Sequence, residues 1–494
     1  MPQTSASFRR GAMDTDGSIS LSEVISALSF ALDLTEGAVY GHALRSCLIG
    51  MRIAAEAKLP SEQMNELYFA LLLKDIGCSS NESRMCQIAG EDYRTINAIA
   101  EYEDWNRPQQ PKLSPLKFLW NNLLSDAGPL DRISRILRPS AAQQRTDKEK
   151  EIVTMRSDRG AGIISKLGVG QYAAEAVRCL GEHWDGNGFP HAIKGEKIPL
   201  LSRICAVAQH LDVFCSGRGK AAAIETLQER GGTWFDPELV RIAVSLHRRG
   251  GLWANCSASD SLDDTRQAVL DLDGGRRDRL DASRIDRICE AFAEVVDAKS
   301  NFTFRHSMGV ADAAFGIAQG MGMTADRVQL VRRAALLHDI GKLSVPNTIL
   351  EKKGGLTAAE WKSVHQHPGL TRRILERVGP FQEMAIIAGE HHEKLDGSGY
   401  PNRLMAADLS LESRIIAVAD VYAALSEDRP YRASLEFDYI TAIMSKLAPH
   451  KLDGDCFDML VSLMSKTANT ALEAEDHADA LSTVRTHKGA VVAA

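Results

Sequence analysis

Along most of the chain, apolar residues recur every three to four positions between short polar breaks, the period of helices that bury one face. Ala and Leu dominate the apolar set and only 6% of residues are aromatic, which favours helices over pleated sheets. The expected fold class is all-α. Three segments carry chemistry within this pattern. Arg332 to Lys342 includes Ala-Ala-Leu-Leu-His-Asp-Ile-Gly-Lys, an apolar helix with a charged pair just before a glycine that can end it. Glu383 to Glu390 predicts a helix that delivers His391 and His392 ahead of an Asp-Gly-Ser-Gly-Tyr-Pro turn. Asp420 stands inside the apolar run Ile415 to Tyr422.

Two helical regions flank a polar stretch, Ser257 to Asp286, that reads as a linker or an exposed helix. With the boundary near Gly250, the expected organisation is a first domain over 1–250, a linker or helix over 251–288, a second domain over 289–466 and a tail over 467–494. The tail is small, charged and aperiodic, so it is expected to fray. Asp14, Asp16, Gly17, Ile19 and Glu23 resemble half of a calcium loop, but Ala12 would be the first ligand, which favours a turn with a helix cap.

The 494 residues suffice for about three domains, or two large ones with an insertion. A net charge of −7 argues against sequence-independent binding to a nucleic-acid polymer but leaves room for a small anion. Met1 to Met13 lacks the apolar segment of a secretory signal, and no apolar run is long enough to span a bilayer. Nine scattered cysteines without a CxxC pair read as reduced thiols, and the expectation is a cytoplasmic protein with no membrane contact of its own.

An internal repeat changes the picture more than composition does. His42 and Lys74-Asp75-Ile76-Gly77 match His306 and His338-Asp339-Ile340-Gly341 at a common separation of 264 residues. Glu182 to Pro190 matches Glu393 to Pro401, and Arg203-Ile204 matches Arg414-Ile415, both at 211. The chain therefore reads as a tandem duplication whose first copy carries about 53 extra residues between Cys78 and Arg156.

In the second copy His306, His338, His365, His367, His391 and His392 fall within 87 residues, although the chain has only 14 histidines. Burying His338 beside Asp339 unpaired would be costly, and a divalent cation removes the problem because imidazole and carboxylate both suit first-row metals. Five of these histidines with Asp339 and Asp420 already exceed the needs of one ion, which suggests two metals bridged by Asp339. Such a pair holds a water with a pKa lowered toward neutrality and clamps the oxygens of an in-line phosphoryl displacement. Lys342 reads equally as a phosphate contact or as a helix-end cation. Arg429 and Arg432 read as phosphate contacts or as parts of a surface turn.

These residues resemble the HD-GYP phosphodiesterase domain over about residues 290–466, with His338 to Lys342 as the HD motif and His391 to Pro401 as the extended GYP motif. Pro346, Leu350, Glu360, His367-Pro368, Asp420 and Asp428 to Arg432 extend the similarity. The resemblance implies two tandem HD-type helical domains and hydrolysis of a cyclic dinucleotide, cyclic di-GMP or 3′3′-cyclic GMP-AMP, to a linear dinucleotide or mononucleotide. It also implies two divalent ions, iron or manganese. One would take His306, His338, Asp339 and Asp420, and the other Asp339, His367, His391 and His392, with Asp339 and Lys342 as the catalytic pair and Lys342, Arg429 and Arg432 on the substrate. His365 is outside the ligand set. Phe302, where members with a third metal have Glu, predicts a two-metal site, and Ala423 departs from the acidic residue many members carry.

The same map leaves the first copy His42 and Asp75 but gives it Lys74, Cys78, Leu180-Gly181 and Gln209 at the other key positions. It is expected to be helical, inactive, and regulatory or an interface, with Lys74 paired to Asp75 in place of a cation and Phe235-Asp236 matching Phe457-Asp458. A second reading, from another class, is a signalling adaptor that binds partners such as a diguanylate cyclase through the GYP loop and the degenerate copy. A homodimer is a further candidate assembly.

Overall fold

The computed structural model describes residues 19–36, 38–81, 142–256, 260–273, 280–300, 305–352, 354–427 and 433–466. The Asp14–Gly17 motif, most of the insertion after Cys78, and the segment from Thr467 lie outside the described residues. Among the described residues there is no β-strand, as the Ala- and Leu-rich pattern predicts.

Two compact units divide between Ile288 and Cys289, with the short segment Leu375–Gln382 grouped with the first. The first contains α1 (Leu21–Glu36), α2 (His42–Glu56), α3 (Ser61–Leu73), α4 (Ala142–Leu167), α5 (Gln171–Arg178), α6 (Leu200–Glu229), α7 (Pro237–Arg248) and α8 (Leu262–Leu272). Helix α9 (Ala282–Asp297) spans the division. The elements that follow are α10 (His306–Gly320), α11 (Ala325–Leu337), α12 (Asn347–Leu350), α13 (Ala358–Val364), α14 (His367–Leu375), α15 (Gln382–Gly389), α16 (Leu411–Ser426) and α17 (Phe437–Met444).

The register of these helices repeats the register of the motifs. Helices α10 and α11 begin 264 residues after α2 and α3, and α15 and α16 begin 211 residues after α5 and α6. Packing repeats too: α2 lies against α6 in the first unit, as α10 lies against α16 in the second. The apolar faces that meet there are fully buried, with Leu44, Leu48, Ile204 and Leu211 in one unit and Val310, Ile317, Ile415 and Val418 in the other. Each buried aliphatic side chain contributes roughly 1.5–3 kcal/mol, which explains why the helical frame outlives the loss of site residues in the first copy.

Side-chain caps set several helix starts. Thr357 and Glu360 form a reciprocal capping box on α13. Ser410 Oγ accepts from the Ser413 amide at 3.1 Å on α16, and Asp236 accepts from the Glu238 amide at 2.8 Å, with Pro237 opening α7.

Two expectations change. The polar stretch after Gly250 joins the first unit: α8 packs on α1 and α2, buries Thr265 and Val269, and sends Arg266 to Ser26 Oγ at 3.1 Å and Glu23 O at 3.0 Å. Its charge suggests a linker, but one apolar face and a snorkelling arginine suffice to dock it. The partner of Asp236 is also different. Asp236 pairs with Arg203 at 2.6 Å, and Arg414, the counterpart of Arg203, pairs with Asp453 at 3.1 Å. Asp453 rather than Asp458 therefore plays the part of Asp236: the pair is separated by 39 residues in the second copy against 33 in the first, a smaller lengthening than the Asp458 match requires.

Candidate metal centre

The His338-Asp339 pair is expected within the end of a helix, but α11 stops at Leu337 and the pair opens a 3-10 turn over Ile340–Ser344. Gly341 makes this turn feasible. A Cβ there would fall 2.0 Å from His367 O, so only glycine lets the turn pack directly on the start of α14. Thr371 fastens the two: its hydroxyl accepts from the Gly341 amide at 3.0 Å and donates to His338 O at 2.8 Å.

Helix ends then aim the imidazoles. The last carbonyls of a helix lack intrahelical donors, and three histidines supply them. Nδ1 of His338 donates to Ala335 O at 2.6 Å, Nδ1 of His367 to Val364 O at 2.7 Å and Nδ1 of His391 to Ala388 O at 2.6 Å. His306, at the start of α10, places Nδ1 2.9 Å from Glu427 Oε2. A histidine whose Nδ1 is held as donor turns Nε2 inward as the available ligand atom.

Those inward atoms gather around two carboxylates. Asp339 Oδ2 lies 3.2 Å from His338 Nε2 and 3.8 Å from His306 Nε2, while Oδ1 lies 3.2 Å from His367 Nε2 and 3.6 Å from His391 Nε2. Asp420 adds Oδ1 3.3 Å from His306 Nε2, and its Oδ2 is 3.5 Å from His392 Nδ1. Two candidate ligand groups result, His306 with His338 and Asp339, and His367 with His391 and His392. All seven sequence-predicted ligand positions converge here.

The electrostatics fit a cationic occupant. Nε2 of His367 and Nε2 of His391 stand 3.1 Å apart. Burial lowers the pKa of both rings, that of His367 to about 4. With both Nδ1 atoms acting as donors, two lone pairs face each other, an arrangement a cation stabilises. Among the described residues, His338 Nε2 and Asp339 Oδ1 are buried without a hydrogen-bond partner, at a cost of about 1–3 kcal/mol each if left so. Burial opposes ionisation of Asp339, yet His338 and Lys342 hold it well below the usual carboxylate range. Asp420 is likewise held low against burial, chiefly by its hydrogen bond with His306. His306 is raised to about 9, because its bonds to Asp420 and Glu427 outweigh burial. Imidazole nitrogens with carboxylates are a donor set that first-row divalent metals accept.

Lys342 follows on the 3-10 turn and reaches Asp339 Oδ2 at 2.5 Å, with a fifth of its side chain exposed. Of its two readings, the contact agrees with a charge at the centre rather than one spent on a helix end. Arg429, Arg432 and Phe302 lie outside the described residues. Ala423 is buried in α16; one turn later Glu427 supplies the carboxylate that faces His306. Sequence reasoning missed Glu427, although a position seven residues after Asp420 falls on the same helix face.

The GYP loop forms the outer wall. The Glu393 carboxylate accepts from the amides of Asn402 at 2.6 Å and Leu404 at 3.0 Å, and a Cβ on Gly399 would fall 2.5 Å from Glu393 Cα. This folds Tyr400 back until its ring centroid is 4.8 Å from that of His392. His365 is exposed and stacks on Tyr400 at 4.0 Å, outside the ligand cluster.

In the first unit the corresponding centre holds ion pairs. Lys74 pairs with Asp75 and lies 2.7 Å from His42 Nε2, and Arg156 reaches Asp75 at 3.3 Å. Asp212, at the position of Ala423, takes His42 Nδ1 at 2.7 Å.

The sequence profile of the HD domain family matches residues 112–239 and 290–456. The 3′3′-cGAMP-specific phosphodiesterase 3 of Vibrio cholerae serotype O1 is 38% identical over 449 residues, covering 89% of this chain and 94% of that protein. The cyclic di-GMP phosphodiesterase response regulator RpfG of Xanthomonas campestris is 37% identical over 147 residues, 29% of this chain and 39% of that one. The crystal structure of the cyclic GMP-AMP-specific phosphodiesterase V-cGAP3 of V. cholerae superposes with a TM-score of 0.60 at 34% identity, covering 91% of this chain and 98% of that chain.

Proposed function

This chain belongs to the HD domain family, and from that premise we propose that it is a metal-dependent phosphodiesterase acting on a cyclic dinucleotide, with the second unit as its catalytic copy. The observation that carries the reading is the pair of imidazole lone pairs of His367 and His391, facing each other 3.1 Å apart beside the Asp339 carboxylate. The relative matched along most of its length is specific for 3′3′-cGAMP, which makes 3′3′-cyclic GMP-AMP the first substrate of choice and cyclic di-GMP the second.

The donor set is read as two sites that share Asp339. His306, His338 and Asp420 complete one, and His367, His391 and His392 the other, with iron or manganese as occupants. When bound, the cations supply the Lewis acidity that activates water and carry charge on the phosphodiester oxygens. The chain's own residues do the rest. Ala335, Val364 and Ala388 carbonyls, with Glu427, fix the imidazole orientations. Lys342 brings an ammonium to the edge of Asp339, where it favours the charge that develops on a phosphate oxygen. Tyr400 and the Glu393-braced loop shield one side from water.

Hydrolysis adds water across one P–O bond and yields a linear dinucleotide, then mononucleotides if repeated. The first unit is read as non-catalytic, because Lys74, Leu180, Gly181 and Gln209 replace ligands there.

The test is product analysis with the purified full chain, loaded with Fe²⁺ or Mn²⁺ and offered both cyclic dinucleotides. Linear product is expected, and Asp339→Asn should reduce turnover by roughly 10³-fold, the scale of losing a principal electrostatic group, with unchanged circular dichroism. Failure of the metal-loaded protein to open either nucleotide would overturn the proposal.

A further inference from the structure

In the second unit a column of aromatic rings runs from the candidate metal centre to solvent. Tyr400 lies 4.8 Å from the ring of His392, His365 stacks on Tyr400 at 4.0 Å with 24° between the planes, and Trp361 follows 5.2 Å from His365. The column begins on the accessible side of the centre. His392 and Lys342 each keep 21% of the side chain exposed, whereas His338, His367 and His391 keep none. Its outer end is open: His365 is exposed, and the Trp361 indole is 46% exposed.

The chain holds that indole in place. Trp361 sits on α13, whose start is fixed by the reciprocal capping of Thr357 and Glu360. Lys352 Nζ, 2.9 and 2.7 Å from the two Glu360 oxygens, adds a second tie. Just past the end of the same helix, His367 Nδ1 donates to Val364 O. One short helix thus carries both the carbonyl that aims a ligand and an exposed aromatic surface, so the two keep a fixed relation.

The first copy supplies a comparison within the chain. At the 211-residue separation, Phe189 keeps an aromatic ring at the position of Tyr400, but Thr154 stands for His365 and Lys150 for Trp361. There Thr154 Oγ donates to Lys150 O at 2.7 Å, one ordinary turn of α4. The unit that has lost its metal ligands has lost the two outer rings as well, although it has kept the helical frame. Those rings go with the chemistry of the second unit rather than with its folding.

We propose that Trp361, spaced from Tyr400 by His365, is the platform on which one nucleobase of the cyclic dinucleotide stacks while a neighbouring phosphate lies at the metal centre. This assignment rests on the function proposed for the second unit and adds to it the place of the base. Imidazoles, carboxylates and Lys342 serve the phosphodiester but leave the flat purine without a partner, and a purine gains most from an aromatic face. Every base has such a face, so the platform adds affinity without distinguishing one purine from another. Trp361 acts on substrate binding and not on the reacting atoms.

The experiment is steady-state hydrolysis by the full chain loaded with Mn²⁺, with tryptophan fluorescence as the binding readout. Trp361→Ala is expected to raise KM about tenfold for 3′3′-cyclic GMP-AMP and cyclic di-GMP alike, the scale of one lost base stack, while kcat moves less than about threefold. Trp361→Phe restores a ring and should stay within about threefold of the unsubstituted KM. In Trp361→Ala the ratio of kcat/KM for cyclic GMP-AMP to that for methyl para-nitrophenyl phosphate, a phosphodiester without a nucleobase, should fall about tenfold. An unchanged ratio would show a merely structural role and overturns the platform. Binding apart from turnover is read in Asp339→Asn protein, where cyclic GMP-AMP should quench tryptophan fluorescence and the added Trp361→Phe change should remove part of the quench. A quench that Trp361→Phe leaves intact overturns the platform too. Absence of turnover with a Trp361-dependent quench sinks only the catalytic reading, and turnover with a KM indifferent to Trp361→Ala sinks only this one.

Discussion

Glu427 shows how far a single side chain outside the ligand set can govern the centre. It faces His306 Nδ1 at 2.9 Å, and with it gone Nε2 would lose its fixed direction. Glu427→Ala, which leaves His306 Nδ1 without this acceptor, is therefore expected to lower metal affinity or activity about 10–100-fold, read by metal titration with thermal unfolding as the check on folding. Lys342 separates binding from chemistry. Because it pairs with Asp339 without belonging to either candidate ligand group, Lys342→Ala should retain metal while losing about 10²-fold in kcat; loss of metal instead would show that it only balances charge. At this scale, residue type and spacing singled out a histidine cluster with Asp339 and Asp420, and the resemblance to the HD-GYP domain narrowed it to His306, His338, Asp339, His367, His391, His392 and Asp420. They did not reveal Glu427, because a carboxylate after an apolar helix carries no signal until the fold shows which imidazole it meets.

Among the elements, helix ends matter more than helix bodies. Three histidines take their direction from terminal carbonyls, so the stopping points of α11, α13 and α15 are functional positions. Gly341→Ala places a methyl group 2.0 Å from His367 O. It should cost about 1–3 kcal/mol by overpacking and release metal, whereas Thr357→Ala, which removes the α13 cap far from any contact of that kind, should cost about 1 kcal/mol and leave metal content unchanged. Denaturant unfolding with elemental analysis distinguishes the two. Periodicity located α15 to within a residue and found the middle of α16, but it set α11 too late in the chain. It could not show that the His338-Asp339 pair lies past a helix end, because apolar spacing continues smoothly from Leu337 through Ile340 while the backbone tightens into a 3-10 turn. Nor could it dock α8, whose polar surface hides a buried Thr265 and Val269.

For the whole molecule, duplication has produced two answers to one electrostatic problem. Each unit buries a carboxylate at the same point of the same frame; the second offers it imidazoles, and the first answers it with Lys74 and Arg156. Chelation should therefore destabilise the two units unequally. At free metal 100-fold above Kd, ligand linkage is worth about 2.7 kcal/mol, and removing it should speed hydrogen exchange around Ile340 and Thr371 but not around Ile76 and Gly160; equal acceleration would refute the contrast. The duplication, the helical class and the identity of the converging residues were determined by the sequence alone, because spacing and residue chemistry survive as linear pattern. Tertiary structure alone decided which oxygen faces which imidazole, that Glu427 serves His306 and that Asp453 answers Arg414. Those facts depend on distances between segments far beyond one helical turn of each other, such as Glu427 and His306, 121 residues apart, and distance across a fold is not encoded in any local period.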